Sequence, residues 1–370
     1  MPVEVCITTG LVLVTAVQFV FWLGPFYRLL RYRAPTTLLN RTRPVSVVIC
    51  AKNEADNLRR NLYHFLNQNY RSFEVVVVDD NSTDDTRPFL LEVKTKWPNL
   101  RVVCAAKSSR AFSKKSALAK GLECARSEWI VLSDADCRPA SRNWLARLSS
   151  RMQPDAELVL GFSPYAKEAG LLNRWIRFEG VWTGIQYLSA ALAGSPYMGV
   201  GRNMAYRIGL YRRAGGFSRH AHLASGDDDL LVNQIARAEH TALEIHPQAF
   251  VWSKPKGTWR GYYYQKRRHV STAPAYNRKS QFWLSLYAGT HLLHYVLTIA
   301  TAWAWAEWIF ILLLCLRWGL TGSIGGQLSK KLGQPDLMWA YWLVFDVMLS
   351  IYYVTFLPSL FQRRHPCGNR

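Results

Sequence analysis

The stretch Trp129-Ile130-Val131-Leu132-Ser133-Asp134-Ala135-Asp136 decides how the chain is read. Four apolar residues in a row predict a buried strand. Asp-x-Asp at its carboxyl end puts two acids at the mouth of a sheet, where open α/β sheets take their ligands. Carboxylates held this close repel each other unless a divalent cation sits between them, and hard oxygen donors suit magnesium or manganese. A metal so held can stabilise a diphosphate as it leaves. Solvated turn acids are the bland alternative for an isolated Asp-x-Asp, so the neighbouring segments carry the decision.

Upstream, Val45 to Cys50 reads as a strand, Glu54 to Gln68 as a helix and Phe73 to Val78 as a second strand. A helix starts near Asp84, whose carboxylate is placed to cap it. Leu100 to Cys104 is another short strand, followed by a helix from about Ser113 to Cys124. Strands alternating with helices of this length predict an α/β domain with a mainly parallel sheet. The first strand runs into Ala51-Lys52-Asn53-Glu54 and the second into Asp79-Asp80-Asn81-Ser82-Thr83-Asp84. Both would end at the edge that carries Asp134. An acid there can accept hydrogen bonds from uracil or ribose, although Asp80 reads equally well as a turn acid.

Downstream, Gly226-Asp227-Asp228-Asp229-Leu230-Leu231-Val232-Asn233 places three acids at a helix start. Capping accounts for one of them. Three in succession exceed what a cap needs, and a carboxylate among carboxylates has its pKa pushed up, which suits a general base. Then come Trp259, Tyr262, Tyr263 and Tyr264, and Gln265-Lys266-Arg267-Arg268-His269. This reads either as a basic helix lying on anionic lipid or as Arg and aromatic groups covering a diphosphate and a sugar.

The formal charge is +21 over 370 residues, yet 49% of them are hydrophobic. That pairing fits a membrane with a basic cytosolic flank. No basic helix, zinc finger or aromatic RNA motif is present, so nucleic acid is not an expected partner. The seven cysteines have no paired spacing and read as reduced core thiols. Ile7 to Leu23 is apolar enough to span a bilayer. A signal peptide would need a basic start, and this segment opens with Glu4. Arg28, Arg31, Arg33, Arg41 and Arg43 follow, which puts the next segment in the cytosol. Beyond Ser280, the stretches Leu284 to Ala302, Trp305 to Leu316 or Leu320, and Leu337 to Leu357 read as three membrane segments, the first two spanning or forming a re-entrant hairpin. Lys330 and Lys331 favour a cytosolic loop between the second and third. Three crossings would leave Arg363 and Arg364 on the far side, against the positive-inside rule.

Taken in order, these motifs resemble the family 2 glycosyltransferases with a nucleotide-diphospho-sugar transferase (GT-A) fold. The resemblance is to the membrane-integrated branch that includes hyaluronan, chitin and cellulose synthases and ceramide glucosyltransferase. It covers about Pro44 to Ser271 and rests on V-S-V-V-I-C-A-K-N-E-A, V-V-V-V-D-D-N-S-T-D-D-T and G-D-D-D-L-L-V-N. It implies that Ala51, Asn53, Glu54 and Asp80 hold the nucleotide and that Lys114, in Lys-x-x-Ala-Leu, lies near the donor. It further implies that Asp134 faces the donor, that Asp136 with Asp134 ligates Mn2+ or Mg2+, and that Asp228, beside Asp227, is the catalytic base. Gln265, Arg267 and Arg268 fall on the Gln-x-x-Arg-Trp motif at the donor, with His269 in place of its Trp. Asn203, in G-V-G-R-N-M-A-Y, and His269 fall at the acceptor.

The expected organisation is an N-terminal transmembrane helix and basic linker over 1–43, a cytosolic glycosyltransferase domain over 44–255 and an interfacial helix over 256–281. C-terminal transmembrane segments occupy 282–361 and a tail 362–370. The expected protein is an inverting glycosyltransferase of the bacterial inner membrane, with its catalytic domain in the cytoplasm, that moves one sugar from a UDP-sugar to a lipid-linked acceptor. A processive polysaccharide synthase is the alternative enzyme. A catalytically silent sugar-nucleotide sensor or scaffold is the alternative of another class.

Overall fold

The computed structural model describes residues 3–35, 43–105, 114–223, 225–305 and 308–361; Arg41, Ser113, Arg363, Arg364 and the tail from 362 lie outside the described residues. The chain opens on α1 (Val3–Phe21), passes through a π-helical turn (Trp22–Phe26) and continues as α2 (Tyr27–Arg31). Pro25 lacks the amide hydrogen an α-helix would use, and the widened turn absorbs that loss.

The α/β domain follows. It runs β1 (Val45–Ala51), α3 (Ala55–Leu66), β2 (Phe73–Asp79), α4 (Thr86–Lys96), β3 (Leu100–Cys104), α5 (Lys114–Cys124), β4 (Trp129–Asp134), β5 (Cys137–Pro139) and α6 (Trp144–Ser149). After these come β6 (Leu158–Gly161), α7 (Leu171–Leu192), β7 (Met204–Arg207), α8 (Ile208–Arg213), α9 (Asp229–Ile235), β8 (Thr241–Glu244) and β9 (Val251–Ser253). Among the described residues, seven strands form one sheet in the order β3-β2-β1-β4-β7-β6-β8. All its neighbours pair in parallel except β7, which is antiparallel to both β4 and β6. The sheet is thus mainly parallel, as its strand-helix alternation predicts.

The valine run Val75–Val78 explains the layering. Successive side chains point to opposite faces, and a strand apolar throughout must be covered on both. Val75 and Val77 pack with Leu58, Leu62 and Phe65 of α3, whereas Val76 and Val78 pack with Ala117, Leu118 and Leu122 of α5. Boundaries differ slightly from expectation. Asp85, not Asp84, precedes α4; the Asp84 carboxylate instead accepts from the Thr86 amide (3.0 Å) and the Ala55 amide (3.2 Å), tying two helix starts together.

Four further helices complete the chain: α10 (Trp259–Val270), α11 (Arg278–Trp305), α12 (Trp308–Lys331) and α13 (Trp339–Phe356). Lys266 of α10 forms a buried ion pair with Glu179 of α7, and Trp175 Nε1 donates to Tyr262 Oη (2.9 Å). These two contacts fix which face of α10 turns away from α7. Among the described residues, three stretches are long and apolar enough to cross a membrane: Val3–Arg31, Trp308–Lys331 and Trp339–Leu360. The first expected C-terminal segment therefore forms a helix, α11, that is less apolar than a free-standing span. The second runs to Lys331, about four turns past the nearer expected end, Leu316, so Lys330 and Lys331 sit in the last turn of α12 rather than in a loop.

Gly121 lets α5 lie directly on the sheet. A Cβ there would come within 2.7 Å of Val48 Cγ1 and Val78 Cγ2, both in strands that cannot retreat. Gly121→Ala is expected to destabilise the domain by about 1–3 kcal/mol through overpacking, outweighing its gain in helix propensity. The midpoint of thermal unfolding, read from tryptophan fluorescence in detergent, should fall; an unchanged or raised midpoint contradicts the packing described.

Candidate active site

Three parallel strands deliver acids or acid-bearing loops to one edge of the sheet: β1 into Ala51–Glu54, β2 into Asp79 and Asp80, and β4 into Asp134. The first two loops are stitched together. Asn53 Oδ1 accepts from the Thr83 amide (2.8 Å), the Asn53 amide donates to Ser82 Oγ (3.0 Å) and the Asp80 amide to the Ala51 carbonyl (2.8 Å). Asn53 and Asn81 both hold φ near +56°, a conformation Asn tolerates better than most residues. Asp80 is buried, which raises its carboxyl pKa, while Lys52 at 3.9 Å opposes the shift.

After β4 the chain turns back, bringing a ligand atom each of Asp134, Asp136 and Cys137 within 4.8 Å of one another. Burial, then the Asp134 charge, pushes the Asp136 pKa up, and Arg202 counters it. Burial likewise raises Glu54, and Asp136 and Asp134 add to that shift, so Glu54 faces the same acids. This donor set fits a divalent metal: a cation between two close carboxylates offsets their repulsion, and their hard oxygens match magnesium or manganese. Asp136 and Asp134 would hold it.

The second acid cluster faces the first across Lys114. Its Nζ lies 2.9 Å from Asp134 Oδ1 and 3.1 Å from Asp227 Oδ2. Burial alone would lower the lysine pKa; Asp134, Asp227 and Asp228 override this and hold it well above the usual value. The three consecutive acids divide their duties. Asp227 is buried, yet Lys114 keeps its pKa below normal. Asp229 Oδ2 accepts from Thr272 Oγ1 (2.5 Å) and Tyr276 Oη (2.8 Å), which binds the segment after α10 to α9. Asp228 caps α9 through the Asp229 amide (2.8 Å) and accepts from the Gly201 amide (2.8 Å). Burial and then the flanking Asp227 and Asp229 raise its pKa to about 7, against the pull of Lys114. Gly201 is needed for that approach, because a Cβ would stand 3.1 Å from Asp228 Oδ2.

Arg202, which sequence reasoning passed over in favour of its neighbour, also belongs here. Burial disfavours its charge, but Tyr165, Cys137, Asp134 and Asp136 raise its pKa further, and its Cζ lies 4.6 Å from the Tyr165 ring centroid. The available signal was an arginine beside two glycines in G-V-G-R-N. Asn203 corrects the expectation of an acceptor contact. It is fully buried; its Oδ1 accepts from Trp144 Nε1 (3.0 Å) and its Nδ2 donates to the carbonyls of Phe162 (2.7 Å) and Ala249 (2.9 Å). With its amide used inside the domain, Asn203 supports the Gly201–Arg202 turn from beneath. Gln265, Arg267, Arg268 and His269 share α10, and His269 is within electrostatic range of Arg202 and Lys114. Desolvation of its ring, then Lys266 and Arg268, holds His269 well below the ordinary histidine pKa, so it is neutral at pH 7 although its outer edge reaches solvent.

Known proteins share parts of this chain. Residues 46–214 match the family described as glycosyl transferase family 2. The probable glycosyltransferase YdaM of Bacillus subtilis is 27% identical over 233 residues, 60% of this chain and 54% of that protein. The beta-monoglucosyldiacylglycerol synthase of Nostoc is 35% identical over 100 residues, 26% of this chain and 21% of its own. The chain spans about half the length of the first curated relatives it matches. Its fold is that of the mannosyltransferase PcManGT from Pyrobaculum calidifontis, solved with GDP-Man and Mn2+; the two are 22% identical, with a TM-score of 0.58 over 94% of this chain and 99% of the other.

Manganese binding, followed by the paramagnetic resonance signal of free Mn2+, is expected to weaken at least about tenfold in Asp136→Asn, which is 1.4 kcal/mol or more. Asp228→Asn, across the Lys114 bridge, should leave it unchanged. Equal binding by Asp136→Asn and the parent protein would remove Asp136 from the metal site.

Proposed function

With residues 46–214 belonging to glycosyl transferase family 2, we propose that the protein is a membrane-bound inverting glycosyltransferase that moves one sugar from a UDP-linked donor to a lipid-borne acceptor at the cytoplasmic leaflet. The observation that carries this reading is the division of labour across Lys114: a metal-suited acid pair on one side and, on the other, a carboxylate with a pKa near 7. A base must be ionised at working pH yet basic enough to take a hydroxyl proton, and a pKa near 7 meets both demands. A lipid acceptor is supported by the membrane-suited helices around the site and by the Nostoc relative, whose name specifies a diacylglycerol product.

Asp228 removes the proton from the acceptor hydroxyl as that oxygen attacks the anomeric carbon. The bond from that carbon to the diphosphate oxygen breaks on the opposite face, so one displacement inverts the centre and needs no covalent enzyme intermediate. The uridine diphosphate leaves with the electron pair. Lys114 and Arg202 supply positive charge where it accumulates, with Arg267 or Arg268 closing from α10. Asp136 and Asp134 would hold a divalent metal, which would supply further charge stabilisation to the leaving diphosphate. Asp80 and Glu54 hold the nucleoside end. His269, neutral and smaller than the indole of the resembling motif, offers the acceptor sugar a hydrogen-bonding edge more than a stacking plate.

Asp228→Asn keeps the shape and cannot accept the proton. Its kcat should fall at least about a hundredfold while donor binding survives; a crippled Asp227→Asn beside a mild Asp228→Asn would move the base to Asp227. In the parent enzyme kcat/KM should fall about tenfold per pH unit below about pH 7, as Asp228 becomes protonated. Because Lys114 lowers the Asp228 pKa, Lys114→Met should shift that limb to higher pH.

Membranes supplied with radiolabelled nucleotide sugars should yield an extractable lipid heavier by one sugar in the mass spectrum. A ladder of repeating sugar masses on one lipid would establish a processive synthase instead. Donor binding without any transfer, across a full panel of sugars and lipids, would establish the silent sensor.

A further inference from the structure

Hydropathy and packing disagree about which helices cross the membrane. Hydropathy selects Val3–Arg31, Trp308–Lys331 and Trp339–Leu360 and passes over α11. Yet α11 runs antiparallel along α1. Trp283 meets Phe21 with ring centroids 6.0 Å apart, Gln18 Nε2 donates to Thr290 Oγ1 (2.7 Å), and His294 Nδ1 lies 2.9 Å from Thr15 Oγ1. A helix paired in this way crosses wherever α1 crosses. Its modest hydropathy has a local cause: Thr290, His291, His294, Thr298 and Thr301 are buried against protein, whereas Leu293, Val296 and Ile299 face outward. An average over the helix counts the inward polar atoms as though they met lipid. The return crossing is α12, because Lys331 in its last turn donates to the carbonyls of Leu30 and Tyr32 at the end of the N-terminal helix. The two helix ends therefore share one side, together with Arg28 and Arg31.

The case of α13 is the reverse. Its composition suits a span and it packs on α12, where Trp342 Nε1 donates to Ser329 Oγ (2.9 Å), but it also lies on α7 and α10, which cannot cross. α7 joins β6 to β7, antiparallel neighbours in one sheet, so both of its ends belong to the α/β domain. Just before α13, Asp336 pairs with Arg177 of α7 (2.9 Å). Within α13, Phe345 packs on Phe178 (centroids 5.1 Å apart), and at its end Phe356 stacks on Tyr263 of α10 (5.4 Å). Although Asp346 in its middle bonds to Arg317 of α12, α13 both begins and ends against elements tied to the α/β domain. Its outer face is a stripe of exposed Val344, Val347, Ile351 and Val354, spaced as one side of a helix. The stripe adjoins two membrane-crossing helices and is followed in sequence by Arg363 and Arg364.

We propose that α1, α11 and α12 cross the bilayer and that α13 is seated in the leaflet on the catalytic side without crossing, its stripe among the acyl chains. The arrangement returns Arg363 and Arg364 to the side that also carries Arg28, Arg31, Lys330 and Lys331, as the positive-inside rule requires. It concerns topology alone and does not depend on the sugar chemistry.

Three probes on the full-length chain in sealed vesicles of known orientation test it, with the exposed Cys104 of the α/β domain as the internal reference. They are an epitope after Arg370, a Pro335→Cys thiol between α12 and α13, and a Glu307→Cys thiol between α11 and α12. A membrane-impermeant maleimide should label Pro335→Cys from the Cys104 side and Glu307→Cys only from the opposite side. Protease added on the Cys104 side should remove the epitope. Pro335→Cys labelled opposite Cys104, or Glu307→Cys labelled with it, would restore the hydropathy assignment. An epitope cut only from the far side would make α13 a span. The epitope leaves every native residue in place, so it decides the position of α13 even if a cysteine variant fails to fold.

Discussion

Repulsion between carboxylates governs this molecule. Asp134 and Asp136 from one loop and Asp227, Asp228 and Asp229 from another converge at a single sheet edge. Two like charges about 4 Å apart at an effective dielectric of 20 repel by about 4 kcal/mol, so an uncompensated cluster would open. Lys114 prevents this by touching one acid of each loop, and Arg202 sits against the first pair. The compensation is uneven, and that unevenness has a chemical consequence. Asp227 is held ionised by direct contact with the lysine, whereas Asp228 keeps the repulsion of both neighbours and two backbone amides as its hydrogen-bond donors. One cation thus sorts adjacent, identical side chains into an ion-pair partner and a carboxylate with a raised pKa.

The membrane-facing part obeys the same rule in a drier setting. Arg317 and Asp346 are almost completely buried between α12 and α13, joined by hydrogen bonds that also recruit Tyr295 and His291 of α11. Removing one partner of such a pair strands the other charge, so the pair specifies how three helices meet more than it adds net stability. α7 carries that order to the α/β domain. Its aromatic face packs on α13, while Glu179, buried, receives Lys266 from α10. The helix bearing Gln265 to His269 is thereby held between the membrane helices and the acids. Asp229 adds a second tether through Thr272 and Tyr276.

Much of this was legible in the residues. Asp134 and Asp136 could be read because an apolar run names its strand and the strand names the edge. The acid cluster Asp227 to Asp229 could be read because three successive acids are costly without a reason; the choice of Asp228 within it came from the resemblance. Lys114 came only from the resemblance, which puts it on the Lys-x-x-Ala-Leu motif. Arg202, Thr272 and Tyr276 were not legible, since a single arginine, threonine or tyrosine acquires meaning only from what folding brings opposite it. Asn203 misled for the same reason: the resemblance put it at the acceptor, and its three buried partners come from α6, the residue after β6 and the turn before β9.

The sequence by itself determined the α/β class, the parallel sheet, the edge that carries the acids and the membrane flanks, because these follow from periodicity, which is local and written in order along the chain. Tertiary structure alone decided which acid pairs with Lys114 and which keeps a raised pKa, which asparagine turns inward, and which helix lies along the domain rather than standing beside α1. Those outcomes depend on distances of about 3 Å between residues more than a hundred positions apart, such as Lys114 and Asp227. Charge and hydrogen-bond energies at that range are set by the geometry of approach, and no stretch of chain encodes that geometry alone.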